Sequence, residues 1–206
     1  MRMPQSPWHR VALAIVVATV SYALAATSLP AFAYAEDEPA TEQAANPNAE
    51  EPELLEAKAA VLMDQAGNVL YGRNATQELP PASTTKVMSA MVVLDSGVDL
   101  DEEVSIVVAD LGDGGQLADY GEGDKVTVRN LLEVMLVYSG NDAAYNAALA
   151  AAGTEEAFVD LMNQKAKEIG MEHTHFENPH GMDVDGHYSC ALDLAIMGRY
   201  ALEHDP

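Results

Sequence analysis

Ser83 and Lys86 stand three residues apart where Pro80-Pro81-Ala82 gives way to an apolar helical pattern. Val87, Met88, Met91, Val92 and Leu94 carry that pattern. They predict a helix from about Thr84 to Asp95, with Gly97 as its stop. At i and i+3 the two side chains share one helix face, so an amine lies within reach of a hydroxyl. A serine hydroxyl is a poor nucleophile until a base removes its proton. A lysine becomes a base near neutral pH only when burial or a neighbouring cation depresses its pKa. The pair therefore carries chemistry only in a fold that buries the first turn of this helix. Outside such a fold, the same spacing describes an N-cap serine followed by a surface lysine.

A second polar signature, Ser139-Gly140-Asn141, interrupts two alanine- and leucine-rich segments. Thr127 caps a predicted helix over Val128 to Val137, and another begins at Ala143 and runs to Ala152. Ser, Gly and Asn are ordinary turn residues. A loop between two such helices can nevertheless point Ser139 and Asn141 into a cleft against Ser83. There Ser139 would relay a proton and the Asn141 amide would hold a substrate carbonyl.

The flanking segments supply the scaffold. Residues 59–64 and Val69-Leu70-Tyr71 are strand-like around the turn Gln65-Ala66-Gly67-Asn68, which predicts a hairpin. Asp99 to Val108 is a short strand or extended segment, and Gly112 to Gly123 is a glycine-rich loop that lacks the phosphate-cradling pattern. Thr154 caps the clearest helix, Glu155 and Glu156 suit its N-terminal end, and Gly170 closes it. Phe158, Leu161, Met162, Ala166 and Ile169 make its apolar face. His173 to Tyr188 is a polar loop, after which Ser189 is expected to cap a last helix reaching about Leu202.

Composition bounds the partners. The chain has 206 residues, enough for one domain, and 49% are hydrophobic. Its net charge of −23 argues against nucleic acid and anionic membrane surfaces. Arg2, His9 and Arg10 precede an apolar run from Val11 to Leu29. Ala31-Phe32-Ala33 and Ala33-Tyr34-Ala35 then offer small residues for a signal peptidase. Residues 1–35 are read as a signal peptide, with an uncleaved anchor as the alternative. Residues 36–56 are read as an acidic disordered linker rich in Glu, Pro, Ala and Asn. The domain is expected over 57–206. Cys190 is the sole cysteine, which excludes an internal disulfide and reads as a small core residue.

Joined, the signatures resemble a known family. The stretch Pro81-Ala82-Ser83-Thr84-Thr85-Lys86-Val87-Met88 resembles the active-site helix of the low-molecular-weight penicillin-binding proteins, the serine D-alanyl-D-alanine carboxypeptidases of peptidase family S11. Residues 123–128, residues 139–144 and Asn178-Pro179-His180-Gly181-Met182 with Gly186-His187-Tyr188-Ser189 resemble further blocks in the same order. The resemblance runs from about Ala59 to Leu202. It implies a β-lactamase/DD-peptidase-like α+β fold, an antiparallel sheet flanked by helices plus a helical subdomain.

The resemblance also implies roles. Ser83 is the nucleophile toward the carbonyl between the terminal D-alanines of a peptidoglycan stem peptide. Lys86 is its general base, Ser139 a proton relay, and Asn141 a substrate-binding residue. β-Lactams would acylate Ser83, no cofactor is required, and the protein would be exported to the cell wall. The family pattern adds a Lys-Thr-Gly triplet on a strand that walls the cleft. No such triplet occurs in these residues, so the later strands are expected beyond Pro206, together with any segment that binds the membrane peripherally.

Two rival readings remain open at this point. A class A β-lactamase uses Ser-Asp-Asn, where this chain has Gly140 in the middle position. A wall protein that binds peptidoglycan without cutting it is the non-enzymatic alternative. His173, His175, His180, Asp183, Asp185 and His187 match no zinc spacing such as H-E-x-x-H. They are read as surface or satisfied loop residues rather than metal ligands.

Overall fold

The computed structural model describes residues 57–111 and 115–204. The expected signal segment and linker lie outside the described residues. Among the described residues, two antiparallel hairpins and five α-helices form an α+β architecture. In the first hairpin, β1 (Ala60–Met63) pairs with β2 (Val69–Arg73), with a register shift between Leu62 and Met63. Its turn is closed by Asp64, whose carboxylate accepts the Asn68 N–H at 2.8 Å and the Asn68 amide Nδ2 at 2.9 Å. In the second, β3 (Glu103–Ser105) pairs with β4 (Lys125–Thr127).

Helix α1 (Thr85–Asp95) packs against α3 (Asn141–Ala152), α4 (Glu155–Ile169) and α5 (Ala191–His204), and α5 packs on β1. Met88, Met91, Val92 and Val93 of α1 are buried. Ala143, Ala144, Ala147 and Ala148 make the buried face of α3, and their small side chains let the backbones approach closely. Phe158, Met162 and Ala166 of α4 complete the core. The α4 boundaries follow the sequence: Thr154 Oγ1 accepts the Ala157 N–H at 3.1 Å, and Gly170 ends the helix at φ +87°. A residue with a Cβ would be strained in that left-handed cap.

Three local expectations need correction. First, the helix after Thr127 does not run evenly to Val137. Helix α2 (Val128–Glu133) passes into a π-helical turn, Val134–Tyr138, and Ser139 ends it in the left-handed region at φ +66°. Second, α3 starts at Asn141 rather than Ala143, which places Asn141 in its first turn. Third, Ser189 does not cap α5. Its Oγ pairs with Thr174 Oγ1 at 2.8 Å and its backbone bridges Leu79. Cys190 Sγ instead accepts the Asp193 N–H at 3.4 Å. The thiol is buried, as a small core residue should be, and burial pushes its pKa up to about 11. The short strand expected within Asp99 to Val108 is Glu103–Ser105, and its partner is Lys125–Thr127.

Candidate active site

Three separate segments meet at the N-terminus of α1. Ser83 lies in a 3-10 turn, Ala82–Thr84, that leads directly into the helix. The turn leaves Ser83 exposed while Lys86, one turn on, is buried at 2% exposure. Lys86 Nζ donates to Ser83 Oγ at 3.1 Å, to Asn141 Oδ1 at 2.8 Å and to the His180 carbonyl at 2.6 Å. Ser139 Oγ donates to Ser83 Oγ at 2.9 Å. The two polar signatures read from the sequence thus converge on one hydroxyl.

The local fold explains how. The π-helical turn before Ser139 and the left-handed backbone at Ser139 swing its side chain toward α1. Asn141 then enters α3 with its amide facing Lys86. The loop opposite is tied to this corner: the Asn141 N–H donates to the Gln116 carbonyl at 2.8 Å. Both Asp142 carboxylate oxygens accept the Ala118 N–H at 2.9 Å.

Burial sets the electrostatics. It pulls Lys86 down from the ordinary lysine value to about 8, because the ammonium form loses water. His180 is pulled down to about 4, first by burial and then by the charges of Lys86 and His187. His180 Nδ1 accepts the Met182 N–H at 3.2 Å, and its Nε2 lies 4.0 Å from Glu155. His187 is buried as well and lowered by burial. Its Nδ1 accepts the Glu177 N–H at 2.9 Å, which leaves Nε2–H to donate to Thr85 Oγ1 at 3.0 Å.

The sequence marks His173 to Tyr188 as a polar loop, with no sign that it reaches Lys86. The contact runs through a main-chain oxygen, which no residue type announces. A three-acceptor lysine has a distinct chemistry. A protonated amine fills all three oxygens. A neutral amine has two N–H groups, matched by the Asn141 and His180 oxygens, and directs its lone pair at Ser83 Oγ.

Comparison with known proteins places this chain in a family. The family model described as D-alanyl-D-alanine carboxypeptidase, Peptidase S11, matches residues 45–206. D-alanyl-D-alanine carboxypeptidase DacF of Bacillus subtilis is 39% identical over 155 residues, covering 73% of this chain and 40% of the relative. Penicillin binding protein 6B from Escherichia coli superposes with a TM-score of 0.71 at 34% identity, covering 81% of this chain and 56% of that one. Penicillin-binding protein D2 from Listeria monocytogenes in its cefotaxime-bound form gives a TM-score of 0.68 at 32% identity, covering 76% and 66%. The chain spans about 40% of the length of the curated relative. By its sequence, its α+β fold and its blocks in order, the chain belongs to the D-alanyl-D-alanine carboxypeptidase family, peptidase S11.

Proposed function

We propose that the protein is an exported serine-type D-alanyl-D-alanine carboxypeptidase that trims peptidoglycan stem peptides through an acyl-enzyme on Ser83. One observation carries the reading: a buried lysine amine shared between Ser83 Oγ and two carbonyl oxygens, with the Ser139 hydroxyl donating to the same Ser83 Oγ. Lys86 takes the Ser83 proton as Ser83 Oγ attacks the carbonyl between the two D-alanines. The tetrahedral intermediate then collapses, the C–N bond breaks, and Lys86 passes that proton through Ser139 to the departing amine of D-alanine, which leaves Lys86 neutral. Water attacks the ester in the second half of the cycle and gives its proton to Lys86, which returns it to Ser83 Oγ as the acyl C–O bond breaks.

Asn141 serves two masters in this scheme. Its Oδ1 holds Lys86, so only the amide Nδ2 remains to donate toward a substrate carbonyl. β-Lactams acylate the same oxygen, and the expected leader over residues 1–35 delivers the protein to the wall. The direct test is release of D-alanine from a diacyl-Lys-D-Ala-D-Ala peptide by the full-length protein. Ser83→Ala and Lys86→Arg should both abolish release, because arginine fills the site but stays protonated. Lys86→Arg with wild-type turnover would overturn the assignment of the base.

A further inference from the structure

We infer that Asn178 and Gly181 are positioning residues for the Ser83–Lys86 pair, acting through the main chain of the turn they build. The inference rests on the reading of Ser83 as nucleophile.

The residue before the nucleophile is strained. Ala82 has φ +49°, a left-handed conformation that a side chain disfavours. Such strain persists only where the surroundings over-determine it. Gly181 is what surrounds it. A Cβ added at Gly181 would meet the Ala82 carbonyl oxygen at 2.0 Å and the Ala82 carbonyl carbon at 2.5 Å. Gly181 itself has φ +90°. Glycine therefore answers both demands at once, the backbone conformation and the close approach.

Asn178 holds Gly181 in place. Its buried amide accepts the Gly181 N–H at 2.7 Å and the His180 N–H at 3.3 Å, and donates from Nδ2 to the Met182 carbonyl at 2.9 Å. That turn also aims two successive carbonyls at α1: Pro179 accepts from Ser89 Oγ at 2.6 Å and His180 accepts from Lys86 Nζ at 2.6 Å. One turn thus sets Ser83 through Ala82 and Lys86 through His180. Neither Asn178 nor Gly181 has a side chain at the Ser83 hydroxyl, so both act through other residues.

The test separates positioning from stability. Pre-steady-state acylation of the full-length protein by benzylpenicillin gives the dissociation constant of the pre-covalent complex and the limiting acylation rate. Gly181→Ala should lower the limiting rate about 100-fold, the scale of an ångström-sized misplacement, with little change in the dissociation constant. Ala82→Gly placed in the Gly181→Ala background should recover part of the rate, because glycine lets the residue 82 carbonyl turn away from the new methyl. Thr154→Ala, which removes a helix cap outside the Ser83–Lys86 hydrogen bonds, provides a variant of lowered stability.

If Gly181→Ala fails to fold, the Asn178 pair decides. Asn178→Asp keeps both accepted bonds and should retain more of the rate than Asn178→Ala. The inference is overturned if Gly181→Ala acylates at the wild-type rate, if Thr154→Ala loses as much rate at equal melting temperature, or if Asn178→Ala and Asn178→Asp both match wild type. Wild-type protein that is not acylated at Ser83 would instead overturn the proposed function, so the two failures are distinguishable.

Discussion

Lys86 should impose its own titration on acylation. An ordinary lysine is almost wholly protonated at pH 7, whereas Lys86 is pulled from 10.5 to about 8 by burial. At pH 7 that raises the neutral fraction by roughly 300-fold, equivalent to about 3 kcal/mol at 1.36 kcal/mol per pKa unit. Lys86 is 2% exposed, so water does little to screen that difference. Only the neutral amine can accept the Ser83 proton. Acylation of the full-length protein by benzylpenicillin, followed by stopped-flow from pH 5.5 to 9.5, should rise about tenfold per pH unit below 8 and level off above it. The acid limb should be the same for two β-lactams of different reactivity, because it belongs to the free enzyme. A rate that is flat across this range, or one that keeps climbing toward pH 10, would refute burial as the device that makes Lys86 a base.

Two further outcomes follow from the same structure. Burial pulls His180 from the ordinary histidine value of 6.5 down to about 4, so its neutral form is the one that fits. The stability it contributes is present above pH 6.5 and lost as pH falls toward 4. Denaturant unfolding should lose about 2 kcal/mol between pH 7 and pH 5 from this group, and His180→Asn should flatten that slope; an unchanged slope would count against the buried neutral imidazole. Thr154→Ala removes the hydroxyl that accepts the Ala157 N–H and should cost about 1 kcal/mol in urea unfolding, with no loss of acylation rate.

Local signals made much of this molecule legible in its sequence. The Ser83–Lys86 contact follows from spacing on a helix, and the span of α4 follows from Thr154 and Gly170. A polar triplet between two apolar helices has to face something, and Ser139 and Asn141 face Ser83 and Lys86. The illegible parts depend on main-chain atoms and on contacts between distant segments. The His180 carbonyl that holds Lys86 belongs to a residue 94 positions away, and carbonyl oxygens carry no residue signature. Asn178 followed by Gly181 does signal a turn. Nothing in the turn itself says that its glycine rests on the Ala82 carbonyl. The π-helical turn at Val134–Tyr138 widens a segment whose apolar spacing predicts a regular helix. Cys190 replaced Ser189 as the α5 cap because Ser189 is drawn into a bridge with Leu79.

The central claim is that Ser83 is the nucleophile, set by Lys86 and Ser139. It is tested most directly by intact mass and peptide mapping of the full-length protein after brief exposure to benzylpenicillin. The account predicts a single penicilloyl adduct on the peptide that contains Ser83, absent from Ser83→Ala. An adduct on another residue, or equal labelling of Ser83→Ala, would contradict it.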